Sequence, residues 1–267
     1  MLLLKNNPII LKLGGSVITE KDKPLTPNLQ VIERLAEEIS RADIKPLIIV
    51  HGGGSYGHPL AKKYGIAEGF KDYSQIFGFS KTHEAMISLN RLLIKSLLKH
   101  HLPAFSFSPS SFIMTEDGRI QTFNDEILRA ALKLDLIPVL YGDTVFDTKR
   151  GFAILSGDQI VSALAIKLRA EKIIMGIDVD GLYNSDPKKD PSAQLINEAS
   201  LGDLAKMIRN IGESSVPDVT GGMLGKILEL RAAVENGIEA LIINALKPNN
   251  LYKALKGEVV LGTRIRR

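Results

Sequence analysis

The 267-residue chain carries four short segments suited to holding anions, each placed after an apolar or strand-like run. They are Gly14-Gly15-Ser16, the run from Gly52 to Gly57 closed by His58, Ser156-Gly157-Asp158, and Thr220-Gly221-Gly222. Glycine lets a backbone approach a ligand closely. A strand that ends in such a turn and runs into a helix aims several N–H groups at an anion. Lys12, Lys21 and Lys226 sit beside these segments. Lys12 interrupts the apolar run Pro8–Leu13, and a lysine in a buried strand is costly unless it faces an anion or a carboxylate. Each feature alone is weak, because glycine turns usually just turn. Together they predict a long polyanion lying across one edge of a sheet.

The elements that must position these residues follow from periodicity. Pro8–Leu13 and Leu47–Val50 read as buried strands. Between them Leu29, Ile32, Leu35, Ala36 and Ile39 predict a helix to Ala42, capped by Thr26 with Pro27 at its first position. Strand, helix and strand in this order predict parallel pairing with a right-handed crossover. Ligands of such sheets sit outside the carboxyl ends of the strands, where both glycine turns fall. Tyr64 to Ser80 reads as an aromatic-rich loop or short helix, and Lys81 to His100 as a helix of about 30 Å. Hairpins are expected at Glu116-Asp117-Gly118 and at Thr148 to Gly151. Asn124 to Leu134 is expected as a helix capped by Asn124, with strands at Ile137–Tyr141, Lys172–Ile177 and Ala240–Ile243. Further helices follow Gly157 and Gly222, the latter ending at Asn236-Gly237; another is expected over Leu201–Ile211, and Asp186–Pro191 is a turn-rich loop. The alternation predicts one α/β domain over residues 1–267, a three-layer α/β/α sandwich with a mainly parallel central sheet and two lobes.

Composition narrows the chemistry. Lysine and arginine total 34 against 30 acidic residues, a net charge of +4, too mild to argue for a nucleic-acid partner. Hydrophobic residues make up 45%, enough for a sizeable core. With no cysteine, neither disulfides nor thiolate metal sites can form. His51, His58, His83, His100 and His101 show no metal-ligand spacing, so no protein metal site is expected. The apolar start Met1–Leu4 is too short for a signal peptide, and no run approaches the ~20 apolar residues of a membrane span. The expectation is a soluble cytoplasmic protein without a membrane partner. The phosphate loop, the dinucleotide fingerprint, the protein-kinase set and the serine-hydrolase elbow are all missing.

Five ordered segments then carry a resemblance. They are Lys12-Leu13-Gly14-Gly15-Ser16, His51-Gly52-Gly53-Gly54-Ser55, Ser156-Gly157-Asp158, Asp178-Val179-Asp180-Gly181, and Asp218-Val219-Thr220-Gly221-Gly222-Met223 with Lys226. The chain resembles the amino acid kinase superfamily over nearly its whole length. Within that superfamily, Gly54-Ser55-Tyr56-Gly57-His58-Pro59, Ser108-Pro109-Ser110-Ser111-Phe112 and Gly262-Thr263-Arg264-Ile265 resemble the isopentenyl phosphate kinases. The resemblance implies ATP-dependent phosphorylation of isopentenyl phosphate to isopentenyl diphosphate, and a homodimer. It also implies an acceptor and dimerisation lobe over about 1–170 and a nucleotide lobe over about 171–267. Gly53, Gly54, His58 and Gly157 would hold the acceptor phosphate. Gly14, Gly15, Ser16, Gly54, Asp178, Tyr183, Gly222 and Lys226 would hold ATP, with Lys12 shared between nucleotide and transfer. Lys12 and Lys21 would offset charge on the transferring group, and Asp158 would orient the lysines. Mg2+ would arrive with the nucleotide, bound by its phosphates and water.

A phosphate acceptor is nucleophilic without a base, which suits a site of donors and cations. An amino-acid acceptor would more naturally use an arginine clamp, and no arginine occurs between Arg41 and Arg91. Phe77, Phe79, Met86 and Ile87 are candidates to line an apolar pocket for the isoprenoid tail. Two alternatives stand beside this reading. One is a kinase of the same fold for another phosphate or phosphonate, such as fosfomycin. The other is a non-catalytic nucleotide sensor, against which Lys12, Lys21, Asp158 and Lys226 argue together.

Overall fold

Strand β1 (Ile9–Leu13) lies at the middle of the molecule, flanked on both sides by parallel strands. The computed structural model describes residues 6–185, 190, 192–204 and 221–267. On one side of β1 come β2 (Leu47–His51), β6 (Ile137–Tyr141) and the short β3 (Ala104–Ser106), all parallel. On the other come β9 (Lys172–Ile177) and β13 (Glu239–Asn244), also parallel, then β14 (Gly262–Arg266) antiparallel to β13 and β12 (Glu198–Ser200) parallel to β14. This makes one eight-stranded sheet, parallel across the six adjacent strands from β13 to β3. A second sheet of four strands joins the hairpin β4 (Ile113–Glu116) and β5 (Arg119–Phe123) to the hairpin β7 (Asp143–Asp147) and β8 (Gly151–Leu155). Leu182–Tyr183 (β10) and Leu195–Ile196 (β11) form a small separate ladder.

Alternation along β1 assigns the layers. Ile10 faces one core with Ile48, Val50, Leu140 and Met175, covered by α5 (Glu126–Lys133), α6 (Gly157–Leu168) and α7 (Gly221–Glu235). Ile9, Leu11 and Leu13 face the other, covered by α1 (Gly15–Ile18), α2 (Leu29–Ala42), α4 (Ser74–Lys99) and α8 (Asn250–Lys256). Two helical layers around a mostly parallel sheet are the expected α/β/α sandwich. The register also puts Lys12 on the α6 side, opposite Val50 on one neighbour and Met175 on the other.

Three local expectations change. Helix α2 is capped by Asn28, whose side chain accepts from Val31 N–H at 3.3 Å, while the Thr26 hydroxyl donates to Pro24 O at 3.0 Å. Helix α4 starts at Ser74, so much of the aromatic stretch is helical and the helix runs about 39 Å. Gly78 sits inside it because a Cβ there would come 2.2 Å from the Tyr64 ring; close packing overrides glycine's poor helix propensity. Helix α5 begins at Glu126, with Asn124 Oδ1 accepting from Glu126 N–H at 3.0 Å. The expected loop Asp186–Pro191, apart from Asp190, the end of the expected helix after Leu204, and Asp218–Thr220 lie outside the described residues.

Candidate active site

The glycine turns meet at the carboxyl edge of the sheet. Gly14 N–H donates to Gly176 O at 2.8 Å, Gly52 N–H to Leu13 O at 2.9 Å and Gly142 N–H to His51 O at 3.0 Å. These bonds carry the sheet's lateral order into the loops. A Cβ on Gly15 would fall 2.2 Å from Gly54 N, and one on Gly54 would fall 2.1 Å from Thr19 Oγ1. Gly54 also has φ +49°, the left-handed region. The two turns therefore touch backbone to backbone. Thr19 Oγ1 accepts from Ser55 N–H at 3.0 Å and donates to Gly15 O at 2.7 Å, sealing the contact.

Helix α3 (Gly54–Lys63) starts from this contact, and α6 starts nearby with Ser156 as its cap, accepting from Gln159 N–H at 3.1 Å. The N–H groups of Gly15, Ser16, Gly53, Gly54, Gly157 and Asp158 make no hydrogen bond among the described residues. They are the initial donors that helix starts leave open, a ready anion cradle.

Cations stand over this cradle. Lys12 Nζ lies 3.0 Å from Asp158 Oδ1, and Lys226 Nζ lies 3.9 Å from Asp158 Oδ2. The Lys12 side chain is only 4% exposed. Burial lowers its pKa, the Asp158 charge works against this, Lys226 adds to it, and the net direction is down. Asp158 Oδ1 is buried and, beyond the lysine charge beside it, has no well-angled hydrogen bond. His58 is open to solvent yet ringed by protein and within electrostatic reach of Lys226, Lys12 and Asp158. Its surroundings, then the charges of Lys226 and Lys12, push its pKa below the ordinary histidine value. Lys21 stands apart from this cluster: it is 71% exposed and 3.9 Å from Asp178 Oδ2.

Beyond Asp178 the rim continues through Asp180. It accepts from Lys247 Nζ at 2.7 Å, Asn244 Nδ2 at 3.1 Å and the Tyr183 hydroxyl at 3.4 Å. Burial alone would raise the Asp180 pKa; the hydrogen bonds from Lys247 and Asn244 outweigh it and the result is lowered. Gly222 lies in the opening turn of α7, four residues before Lys226. Among the described residues, no group of three or more His, Asp or Glu side chains could hold a metal ion.

Residues 7–244 match the amino acid kinase family. The chain belongs to that family. Within it the chain groups with the isopentenyl phosphate kinases. It is 43% identical over 265 residues to the isopentenyl phosphate kinase of Methanothermobacter thermautotrophicus, covering 96% of this chain and 98% of that one. It is 40% identical over 262 residues to the isopentenyl phosphate kinase of Methanocaldococcus jannaschii, covering 94% and 95%. A solved isopentenyl phosphate kinase structure superposes with a TM-score of 0.85 at 39% identity, covering 97% of this chain and all of that one.

The fold thus joins Lys12, His58, Asp158 and Lys226 of this family member with the turns at Gly14–Ser16, Gly53-Gly54 and Gly157. It sets Lys21, Asp178 and Tyr183 on an adjoining rim. Of the apolar candidates, Met86 packs beneath Gly53 and Gly57, and Phe79 packs on Phe146 and Phe152 at centroid distances of 5.6 and 5.1 Å. Phe77 and Ile87 are instead exposed, because they fall on the outer face of α4. Sequence reasoning missed Asn244, the last residue of β13, and Lys247 just beyond it, where no glycine signal stands. It also missed His83, whose Nδ1 lies 2.9 Å from Oδ2 of the buried Asp143. Only the position of Asp143 just after a strand end pointed to that pair.

Proposed function

We propose that this chain transfers the γ-phosphoryl group of ATP to isopentenyl phosphate, giving isopentenyl diphosphate and ADP. The observation that carries this reading is the state of Asp158. It is the carboxylate at the centre of the donor cradle, and it is engaged by two lysines. Such a site suits an acceptor that is already ionised, because no proton has to be removed. An oxygen of the acceptor phosphate attacks the γ-phosphorus, a new P–O bond forms, and the bond to the β,γ-bridging oxygen breaks. The electron pair leaves on ADP.

In this reading the Gly53, Gly54 and Gly157 N–H groups hold the acceptor phosphate, and His58 donates to it from the imidazole. Lys12 meets the transferring group, where charge is spread over three oxygens. Asp158 is a positioning residue that keeps Lys12 and Lys226 at fixed spacing. Lys21 swings from the rim toward the phosphates. Gly14, Gly15, Ser16, Gly222 and Lys226 hold the nucleotide phosphates, and Asp178 and Tyr183 lie along the nucleoside. Mg2+ enters as part of the ATP complex, on phosphate and water oxygens. Met86 and Phe79 favour an isoprenoid tail over a polar acceptor. The acceptor sits on the β2 and β6 side, the nucleotide on the β9 and β13 side. The enzyme works as a cytoplasmic homodimer, which a solution mass of twice 29.2 kDa would support.

Incubation with ATP–Mg2+ and isopentenyl phosphate is expected to yield ADP and the diphosphate, read by phosphorus NMR. Turnover of fosfomycin without turnover of isopentenyl phosphate rejects the substrate assignment. His58→Ala is expected to lower kcat/KM for the acceptor about 100-fold, and His58→Gln, which keeps an N–H donor, less. Equal kinetics in wild type and His58→Ala reject the role of His58.

A further inference from the structure

The hairpin β4–β5 lies outside the cradle, yet it is fastened to both helices that serve it. Gln159 follows Asp158 in the first turn of α6, and its buried side chain grips the hairpin twice. Oε1 accepts from Ile120 N–H at 3.2 Å, and Nε2 donates to Gly118 O at 3.2 Å. The hairpin turn is itself held by Asp147, which accepts from Gly118 N–H at 2.7 Å, Asp117 N–H at 3.1 Å and the Thr115 hydroxyl at 2.8 Å. Asp147 also accepts from Lys149 and Arg150 N–H at 2.9 and 2.8 Å, so it ties the tip of the second hairpin to the first. The next hairpin residue, Arg119, forks onto Glu229 of α7, with Nη1–Oε1 at 2.5 Å and Nη2–Oε2 at 2.9 Å. Glu229 lies one helical turn beyond Lys226, on the same side of α7.

This chain of bonds adds a polar tie to the apolar packing between the two helices. Helices α6 and α7 lie against each other, and both start beside the cradle. Their positive ends and the charges of Lys12 and Lys226 repel one another before an anion arrives. We propose that Arg119 is a positioning residue for the nucleotide phosphates: through Glu229 it holds α7, and with it Lys226, against the frame that carries Asp158. The bidentate fork resists sliding as well as separation, which a single lysine contact would not. The inference rests on the assignment of Lys226 to the nucleotide phosphates made above.

The test is calorimetric binding of a non-hydrolysable ATP analogue with Mg2+, alongside isopentenyl phosphate binding and the thermal midpoint. Arg119→Ala is expected to weaken the nucleotide analogue about three- to fivefold, at the upper end for an exposed bidentate pair. Acceptor affinity and the midpoint stay as in wild type. Arg119→Lys falls between, and the charge-exchanged double variant Arg119→Glu/Glu229→Arg recovers most of the loss. Nucleotide affinity within twofold of wild type in Arg119→Ala overturns the proposal, as does equal weakening of both ligands with a lowered midpoint. A wild type that binds the analogue but makes no diphosphate rejects the functional reading and leaves the Arg119 result standing. No analogue binding by the wild type overturns both.

Discussion

On the β2 side of β1, Gly15 and Gly54 meet backbone to backbone, and Thr19 closes the contact with two hydrogen bonds. On the β9 side, Asp178 and Asp180 are held by Lys21 and Lys247, side chains at least half exposed. One side is shaped by atoms that cannot move without a clash. The other is shaped by charges that water and salt can screen. An anion arriving at the glycine turns meets donors already in place. A ligand arriving at the rim must exchange existing ion pairs for its own. The contrast teaches that the packed side is preorganised and the rim is left to be completed, which under the proposed function makes the first the acceptor side and the second the nucleotide side.

Substitutions can break this contrast, the largest at the point where the halves join. Asp158→Asn is expected to lower kcat about 10³-fold, or ~4 kcal/mol, because it removes the negative charge that stands between the Lys12 and Lys226 charges. Losing the carboxylate also removes what opposes the downward shift of the Lys12 pKa. Transfer needs the charged lysine, so the alkaline limb of the pH–rate profile should move to lower pH; an unmoved limb would refute the coupling. Gly15→Ala attacks the packed side, where the new methyl must displace the Gly54 backbone. A loss of about 3 kcal/mol in denaturant melts is expected, with ATP and acceptor binding both weakened, because the methyl sits at a residue assigned to the nucleotide phosphates and pushes on Gly54, assigned to the acceptor.

A pH shift probes the packed side without changing its shape. His51 is fully buried, stacked on Tyr141 at 5.4 Å, with Nδ1 3.1 Å from Gly52 O and Nε2 3.3 Å from Asn90 Oδ1. Burial pushes its pKa down to about 4. The unfolded chain therefore takes up this proton first as pH falls through ~6.5. Stability is complete above that value and declines toward pH 4, by up to about 3 kcal/mol from this group. Urea melts at pH 7 and 4.5, with His51→Gln as control, would show whether the decline belongs to His51. The smallest effect belongs to the rim. Lys247→Ala should raise KM for ATP about two- to threefold at low ionic strength, and the difference should vanish near ~0.5 M salt. A salt-independent difference would place Lys247 in the packed class instead.

Much of the frame was legible in the sequence because strands here are short apolar runs ended by glycine, a signal that needs no distant partner. Lys12 stood out because a lysine amid Ile10, Leu11 and Leu13 demands a reason. That reason, Asp158, lies far along the chain, and only the fold or the family resemblance joins them. The start of α4 was hidden because Gly65, Gly69 and Gly78 look like loop punctuation. What permits Gly78 in the helix is the Tyr64 ring against it, a tertiary fact. The Arg119–Glu229 fork was equally invisible: both residues read as ordinary surface charges until the hairpin and helix are laid side by side.

The central place of β1 carries a practical consequence. Its register fixes Leu13 to His51 on one side and to Gly176 on the other, so one strand sets the spacing of the loops on both sides. For redesign the molecule therefore behaves as two panels hung on a common post. Under the proposed function, Phe79 and Met86 on the β2 side are the positions to vary for longer or shorter tails while the β9 side keeps its place. A one-residue insertion or deletion within Ile9–Leu13 would turn the side chains on one side of it to the opposite face and disturb the loops on both sides at once.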